Sequence, residues 1–266
     1  MKAIENYDVS PGHLAVWWLG QASFIVKSPQ GIIAAIDPYL SNSCKAGGEG
    51  IGFNFDRITA PPLAPEELAG ADVIVFTHSH QDHFDPDTIV PYRRAGGTGP
   101  YIAPGETADK LREMGVGDDD ITLVWPNKTH TVGDLNFRAT FAIPFGGDEL
   151  THVGYLISIT NGPVFYFTGD TDYHEILGNS ISPYKPDVML TVINGAFRNL
   201  SAGQAARLAK QIDPKVVIPC HYGLFPDNNA SPQSLKMNLF MYDMQDRYKE
   251  LEVMVPYNYP NEQIVK

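Results

Sequence analysis

Three histidines and one aspartate lie within six consecutive residues, His78-x-His80-x-Asp82-His83, directly after an apolar run. Imidazole and carboxylate groups suit Zn²⁺, Mn²⁺ or Fe²⁺, and a catalytic site keeps one coordination position open. Side chains two residues apart in an extended chain point the same way, so His78 and His80 can face one ion. Asp82 and His83 can then face a second. The segment predicts a centre for two divalent metal ions (Zn, Mn or Fe), with a His-rich surface loop as the alternative.

Two ions need more ligands than this segment offers, and three other residues qualify. Asp170 and His221 each follow an apolar run closely, and His152 directly precedes one. In α/β proteins, ligands bind beyond the carboxyl ends of the strands. His78, Asp170 and His221 have that position. If the His78 segment is a metal site, Asp170, His221 and His152 are the best candidates for its remaining ligands. Taken singly, Asp170 could cap a turn and either histidine could be a core residue.

Hydrophobic patterns predict the elements that position these residues. Apolar runs predict strands over residues 14–19, 22–27, 32–37, 72–77, 121–125, 134–143, 153–160, 164–168, 187–193 and 215–219. Helical spacing and caps predict helices over 105–115, from Ser201, and from Ser231 to about Tyr248. Residues 40–65, rich in Gly, Pro, Ser and Asn, are predicted to be a long loop. No break in composition divides the chain, so we predict one domain, 1–266, with two sheets and outer helices.

Composition and charge narrow the class of partner. The 31 acidic and 19 basic residues give a net charge of −12, which argues against a nucleic-acid polymer. The apolar runs are far shorter than the roughly 18 residues of a membrane span, so no membrane partner is expected.

Two cysteines, Cys44 and Cys220, cannot form a disulfide framework and favour the cytoplasm; Cys220 is predicted to be a buried thiol. A stripe near the C-terminus predicts core packing or, in a homo-oligomer, a subunit contact: Met237, Met241, Met244 and Tyr248.

Together these motifs resemble those of metallo-β-lactamase superfamily hydrolases. The His-rich segment and the later His152, Asp170 and His221 follow the order and spacing of that superfamily. This resemblance extends from about Val16 to Pro256. Within the superfamily, the chain is most similar to the branch of the L-ascorbate-6-phosphate lactonases. The supporting motifs are Gly20-Gln21-Ala22-Ser23-Phe24, Asp37-Pro38, Tyr155-Leu156, Gly169-Asp170-Thr171-Asp172-Tyr173 and Lys215-Val216-Val217-Ile218-Pro219-x-His221.

The resemblance implies both the fold and the arrangement of the ligands. The fold would be α/β, an αβ/βα sandwich of two mixed β-sheets packed face to face, with helices on the outer faces and the site at one edge. The implied arrangement places His78, His80 and His152 on one ion, Asp82, His83 and His221 on the other, and Asp170 between them.

These features predict a metal-dependent hydrolase in which a metal-bound hydroxide attacks the substrate, with Asp82 or Asp170 as the catalytic carboxylate. The expected substrate is a small anionic molecule, a sugar-acid lactone similar to L-ascorbate 6-phosphate. Arg198, His174 and Tyr222 are predicted to contact it, since an arginine fork suits phosphate or carboxylate. The alternatives are a phosphodiesterase acting on a cyclic nucleotide and a non-catalytic metal-binding protein with the same fold.

Overall fold

The computed structural model describes residues 1–144 and 150–260. The strands in these ranges are β1 (Leu14–Gly20), β2 (Ser23–Lys27), β3 (Ile33–Ile36), β4 (Val73–Val75), β5 (Tyr101–Ala103), β6 (Ile121–Leu123), β7 (Thr129–Val132), β8 (Leu135–Phe141), β9 (Val153–Ser158), β10 (Val164–Phe167), β11 (Val188–Val192), β12 (Val216–Cys220) and β13 (Tyr257–Tyr259). The α-helices are α1 (Lys2–Glu5), α2 (Cys44–Ile51), α3 (Pro86–Arg94), α4 (Gly105–Glu113), α5 (Glu175–Ile181), α6 (Ala202–Ile212) and α7 (Pro232–Phe240).

The strands form two mixed sheets of similar design. The first has the order β13-β1-β2-β3-β4-β5-β6 and the second the order β12-β11-β10-β9-β8-β7. The first is antiparallel from β13 to β3 and parallel from β3 to β6. The second is antiparallel from β7 to β10 and parallel from β10 to β12. Parallel neighbours need crossover connections, and α3, α4, α5 and α6 lie in them.

Apolar side chains from both sheets form the core between them. Phe24 of β2 and Phe167 of β10 meet edge to face, with ring centroids 5.5 Å apart. The other face of the first sheet packs against α3 and α4 through residues such as Ile89 and Leu111. Helices α5 and α6 bury side chains such as Leu208 against the second sheet. These layers confirm the predicted α/β sandwich of two mixed sheets with helices outside.

Backbone hydrogen bonds join the two sheets at one edge. The Val153 amide, at the start of β9, donates to the Thr77 carbonyl beyond β4 at 3.0 Å. The His221 amide, beyond β12, donates to the Gln21 carbonyl beyond β1 at 2.8 Å. The polar segments that follow the strands of both sheets therefore lie side by side at this edge.

The elements predicted from apolar runs are present, with strand ends displaced by at most two residues. Helices α4 and α6 also agree with the prediction, and Ser201 caps α6 through its hydroxyl, which accepts from the Gln204 amide. The elements β5, β7, β13, α1, α3 and α5 were not predicted. Most of them are too short to show a hydrophobic period.

The prediction of a loop over residues 40–65 is wrong in part, because α2 lies within it. Three glycines give this helix a poor intrinsic propensity. Tertiary contacts stabilise it instead: Cys44 is buried, and the Ser43 hydroxyl donates to Asp85 Oδ1 at 2.9 Å. Gly48 packs so closely on its neighbours that a Cβ there would lie 2.8 Å from the Phe55 ring and the Phe53 carbonyl.

The prediction that the last helix reaches Tyr248 is also wrong. Helix α7 ends at Phe240, and Asp243 has a left-handed backbone with φ of 58°. Beyond that turn the chain no longer follows the helix axis, so the predicted stripe does not form. Met244 is buried, whereas Met237 and Met241 are 72% and 77% exposed and do not belong to the core.

The described residues also bear on the membrane and thiol predictions. Within these ranges, every helix is too short or too polar to cross a bilayer. Cys44 and Cys220 are both free and buried. Burial raises the pKa of the Cys220 thiol well above its usual value, so it stays neutral. Cys220 is thus the buried thiol that was predicted.

Candidate metal centre

The His-rich segment is fixed at both ends. It starts just beyond β4, and α3 follows it. The Asp85 carboxylate caps α3 by accepting from the Asp87 amide at 3.1 Å and the Thr88 hydroxyl at 2.5 Å. Between these anchors, His78 and His83 are fully buried. Burial and capping together hold the imidazoles in place before any ion binds.

The structure brings together all seven residues predicted as ligands. They form three overlapping groups, within each of which the ligand atoms lie no more than 4.8 Å apart. The groups are His78, His80 and His152; His78, His83 and Asp170; and Asp82, His83 and His221. The second group shares His78 with the first and His83 with the third. The arrangement therefore suits two neighbouring cations with Asp170 between them.

Asp170 and His152 reach the centre from adjacent strands of the second sheet. Because β9 and β10 are antiparallel, the start of β9 lies beside the end of β10. Gly169 makes the turn with a φ of +59°, and a Cβ there would lie 2.6 Å from the Val153 carbonyl. Only glycine fits both constraints without strain. The His152 Nδ1 then lies 3.3 Å from the Asp170 carbonyl oxygen.

Asp37 fixes one of the imidazoles. Its carboxylate accepts from the Thr77 amide at 2.7 Å, from the Thr77 hydroxyl at 2.5 Å and from His83 Nδ1 at 2.8 Å. This last bond places the proton on Nδ1 and leaves Nε2 of His83 as the ligand atom. The sequence suggests Asp37, Thr77 and Ser79 as groups that orient the imidazoles, and the structure places Asp37 against His83 and Thr77 against His78.

Two further side chains hold the carboxylates and were not predicted as site residues. Gln21 Nε2 donates to Asp82 Oδ2 at 3.0 Å, and Asn199 Nδ2 donates to Asp170 Oδ2 at 2.6 Å. Gln21 is fully buried and has a left-handed backbone, with φ of 51°. Gln21 belongs to the motif that starts at Gly20, and this position in the sequence could have identified it as a site residue. Asn199 follows a polar stretch but carries no local signal.

The electrostatics of the buried cluster favour ionised carboxylates. Burial alone would raise the pKa of Asp170, but His221 and His83 outweigh it and hold that pKa well below its usual value. The pKa of Asp82 is likewise lowered, because His83 and His221 outweigh its burial. Burial would lower the pKa of His221, yet Asp170 and Asp82 raise it to about 9. Burial and the neighbouring His83 and His152 lower the pKa of His78.

Two buried polar atoms without a hydrogen-bond partner indicate that the cluster fits a cation. His83 Nε2 and Asp170 Oδ1 lie 3.4 Å apart, yet neither forms a hydrogen bond with any described residue. Buried polar atoms are nearly always partnered, so such a pair needs an explanation. A divalent ion between a neutral imidazole and a carboxylate provides one. The donor set of imidazole and carboxylate suits Zn²⁺, Mn²⁺ or Fe²⁺.

A cavity of about 370 Å³ opens beside the cluster. Its floor includes His80, Asp82, His152, Asp170 and His221. Its other described lining residues are uncharged: Cys44, Gly47, Gly48, Ile51, Phe55, Gln81, Phe197, Asn199, Phe225 and Asn228. This volume lies near the lower end for ligand pockets and suits a small molecule.

The three predicted substrate contacts lie outside the described lining of this cavity. Arg198 Nη2 donates to Asp172 Oδ2 at 2.9 Å. The exposed His174 caps α5 by accepting from the Ile176 amide at 3.1 Å. Tyr222 is buried against Trp18, with ring centroids 4.9 Å apart, and lines a separate cleft. Their roles in substrate binding stay predictions.

Comparison with known proteins places this geometry in a family. The family model of the β-lactamase superfamily domain matches residues 15–221. A UPF0173 metal-dependent hydrolase from Anaeromyxobacter sp. (strain K) is 31% identical over 246 residues, which cover 86% of this chain and 81% of the relative. Another from Thermodesulfovibrio yellowstonii is 26% identical over 256 residues, with 91% of each chain covered.

Solved structures share the fold. Igni18, a metallo hydrolase from the archaeon Ignicoccus hospitalis, superposes with a TM-score of 0.72 at 22% identity, covering 94% of this chain and all of that one. The isothiocyanate hydrolase from Delia radicum gut bacteria gives a TM-score of 0.72 at 17% identity, covering 91% and 98%. The family model covers most of the chain, including the ligand cluster. The chain therefore belongs to the metallo-β-lactamase superfamily and is one of its metal-dependent hydrolases.

Proposed function

We propose that this hydrolase opens a small lactone at the centre formed by His78, His83, Asp170 and their neighbours. The observation that carries the proposal is the lining of the cavity. Among the described lining residues no lysine or arginine lies beside the cluster. A phosphodiester keeps its charge throughout the reaction, and apart from bound metal ions no cationic side chain of the described lining would pair with that charge. The lining therefore favours a carbonyl substrate over a cyclic nucleotide.

We propose two divalent ions, Zn, Mn or Fe, as the cofactors. When bound, such ions polarise the scissile group and lower the pKa of water towards neutrality. The residues of the chain hold the ligand atoms in position for these ions. His83 is aimed by Asp37, and Asp170 is aimed by Asn199, so both present their ligand atoms without further rearrangement.

Asp82 is the carboxylate better placed to handle the proton of the attacking water. Both carboxylates line the cavity, but the Asp82 side chain is 18% exposed, whereas that of Asp170 is 9% exposed and its Oδ1 is fully buried. The pKa of Asp82 lies below its usual value, so the carboxylate is ionised at neutral pH. It can accept a proton there and pass it to the leaving oxygen.

The substrate class follows from the same lining. A sugar-acid lactone, as expected from the sequence, matches the proposed reaction. An anionic group on it would find carboxylates but no cationic side chain among the described lining residues. We therefore favour a neutral lactone over a phosphorylated one.

The test is a panel assay with protein reconstituted in Zn²⁺ and, separately, in Mn²⁺. The substrates are a neutral lactone, a phosphorylated lactone and a cyclic nucleotide. We expect the neutral lactone to be opened fastest, and Asp82→Asn to lower its turnover at least 100-fold. Cleavage of the cyclic nucleotide without opening of any lactone would overturn the proposal.

A further inference from the structure

We infer that the cavity beside the metal centre is a recognition site for an uncharged apolar group of the substrate, an aryl or branched alkyl group next to the scissile bond. This inference rests on the proposed function, because it assumes that the reacting bond lies over the cluster. It adds a property that the cluster itself does not determine.

The cavity that the metal ligands line also has an apolar wall. Cys44, Ile51, Phe55, Phe197 and Phe225 all line it. A charged group placed against these side chains would lose its hydration without gaining a partner, which disfavours its binding. An aryl or alkyl group would instead gain the free energy of apolar burial. The wall therefore discriminates by polarity.

Ring contacts stabilise the wall in a defined shape. The Phe55 ring lies 5.5 Å from Phe225 and 6.0 Å from Phe197, measured between centroids. Phe53 packs on the outer side of both Phe55 and Phe197, at 5.6 Å and 5.4 Å. Phe225 in turn contacts Tyr39 at 5.8 Å. Such clusters favour an aromatic ligand, because edge-to-face and offset contacts can continue onto it.

The wall and the metal centre are joined by one short stretch of chain. Phe197 contributes its ring to the wall, and Asn199 donates to Asp170 Oδ2 at 2.6 Å. Between them, Arg198 pairs with Asp172 at 2.9 Å. Phe197 and Arg198 both have left-handed backbones, with φ of 52° and 59°. The apolar wall is thus held at a fixed distance from the carboxylate that faces the cations.

The mouth of the cavity is apolar as well. Ile51, at the end of α2, lines the cavity and is 63% exposed. Its side chain therefore extends the apolar lining from the cavity out to solvent. Ile58 is 56% exposed in the same region but is absent from the lining, so it provides a matched control.

The experiment compares three hydroxamates that would bind the cations through the same group. They are acetohydroxamate, phenylacetohydroxamate and the carboxylate-bearing succinohydroxamate, titrated into metal-loaded protein by calorimetry. We expect the phenyl compound to bind about 30-fold more tightly than the acetyl compound, the gain from burying one ring. Succinohydroxamate should bind no better than acetohydroxamate. Equal affinities for the phenyl and acetyl compounds would overturn the inference.

Two lysine variants locate the effect. Ile51→Lys places a cation at the mouth and should lower the phenyl preference at least fivefold while improving binding of succinohydroxamate. Ile58→Lys should change neither the preference for the phenyl compound over the acetyl compound nor the affinity for succinohydroxamate. An equal change in both variants would show a general charge effect and contradict a role for the cavity. Both side chains are exposed, so both variants should fold.

The outcomes separate this inference from the proposed function. If no lactone is opened but the phenyl preference and its loss in Ile51→Lys persist, the apolar site stands and the lactonase proposal fails. If lactones are opened at equal rates with and without an aryl substituent, and the hydroxamates bind equally, the lactonase proposal stands and the apolar site fails.

Discussion

His83 Nδ1 lies 2.8 Å from Asp37 Oδ2, and both side chains are fully buried. The two residues are 46 positions apart in the sequence: Asp37 directly follows β3, and His83 lies in the segment between β4 and α3. Because Asp37 also accepts two hydrogen bonds from Thr77, it cannot rotate away. The pair therefore fixes both the tautomer and the direction of the His83 imidazole.

Replacing Asp37 should weaken metal binding without removing a ligand. In Asp37→Asn, the amide presents an N–H to His83 Nδ1, which favours the tautomer with its proton on Nε2. We expect the dissociation constant for Zn²⁺ to rise 10- to 100-fold in chelator competition. Asp72→Asn is the control, since its carboxylate also accepts a backbone N–H from Ile33 but lies elsewhere. An unchanged constant in Asp37→Asn would refute this role.

Asn199 should matter through Asp170 alone. Asn199→Leu keeps a similar volume but removes the donor 2.6 Å from Asp170 Oδ2, so that carboxylate is less well oriented and harder to keep ionised. We expect about a tenfold loss of metal affinity. The control is Asn194→Leu, which lies in the same loop as Asn199 but breaks a hydrogen bond to Asn228, and it should cause a smaller loss. Equal losses would mean that the loop as a whole, rather than the Asn199 bond, is responsible.

The metal ligands could be predicted because several of them closely follow apolar runs that mark the ends of buried strands. His78, Asp170 and His221 follow buried strands closely, and the pattern of apolar runs shows those ends in the sequence. The residues that aim the ligands were harder to find. Asn199 contacts Asp170 only because the chain turns twice through left-handed conformations before it, and composition does not encode that path.

The apolar wall was missed for a different reason. Helix α2 contains three glycines and shows no period, so its sequence indicates a loop. The helix forms because Gly48 allows close contact with Phe55 and because Cys44, its first residue, is buried. Tertiary contacts override propensity there, and only a three-dimensional structure reveals it.

Two glycines of α2 should respond to alanine in opposite ways. Gly48→Ala puts a Cβ 2.8 Å from the Phe55 ring and the Phe53 carbonyl, and should destabilise the protein by about 1–3 kcal/mol. Gly50→Ala meets nothing within 4 Å and should stabilise it by up to about 1 kcal/mol through helix propensity. Chemical denaturation measures both. Destabilisation by Gly50→Ala would contradict the helix, and tolerance of Gly48→Ala would contradict the close packing.

Metal affinity should increase with pH between 7 and about 9. In the metal-free protein, burial would lower the pKa values of His83 and His221, but the neighbouring carboxylates raise both, that of His221 to about 9. An ion must therefore displace protons from these histidines at pH 7. The free-energy cost of removing those protons disappears as the pH rises past the pKa of each histidine. Calorimetric titration with Zn²⁺ in two buffers of different ionisation enthalpy should show proton release at pH 7.5. Affinity independent of pH across this range would contradict the assignment.

The central claim is that separate segments of the chain converge to bind two cations, and elemental analysis tests it most directly. After reconstitution with Zn²⁺ and dialysis, we predict about two ions per chain. His80→Ala should retain about one, whereas His130→Ala, which changes a half-buried histidine on β7 outside the ligand groups, should retain two. A wild-type protein that keeps no ion, or a His80→Ala protein that keeps both, would contradict the account.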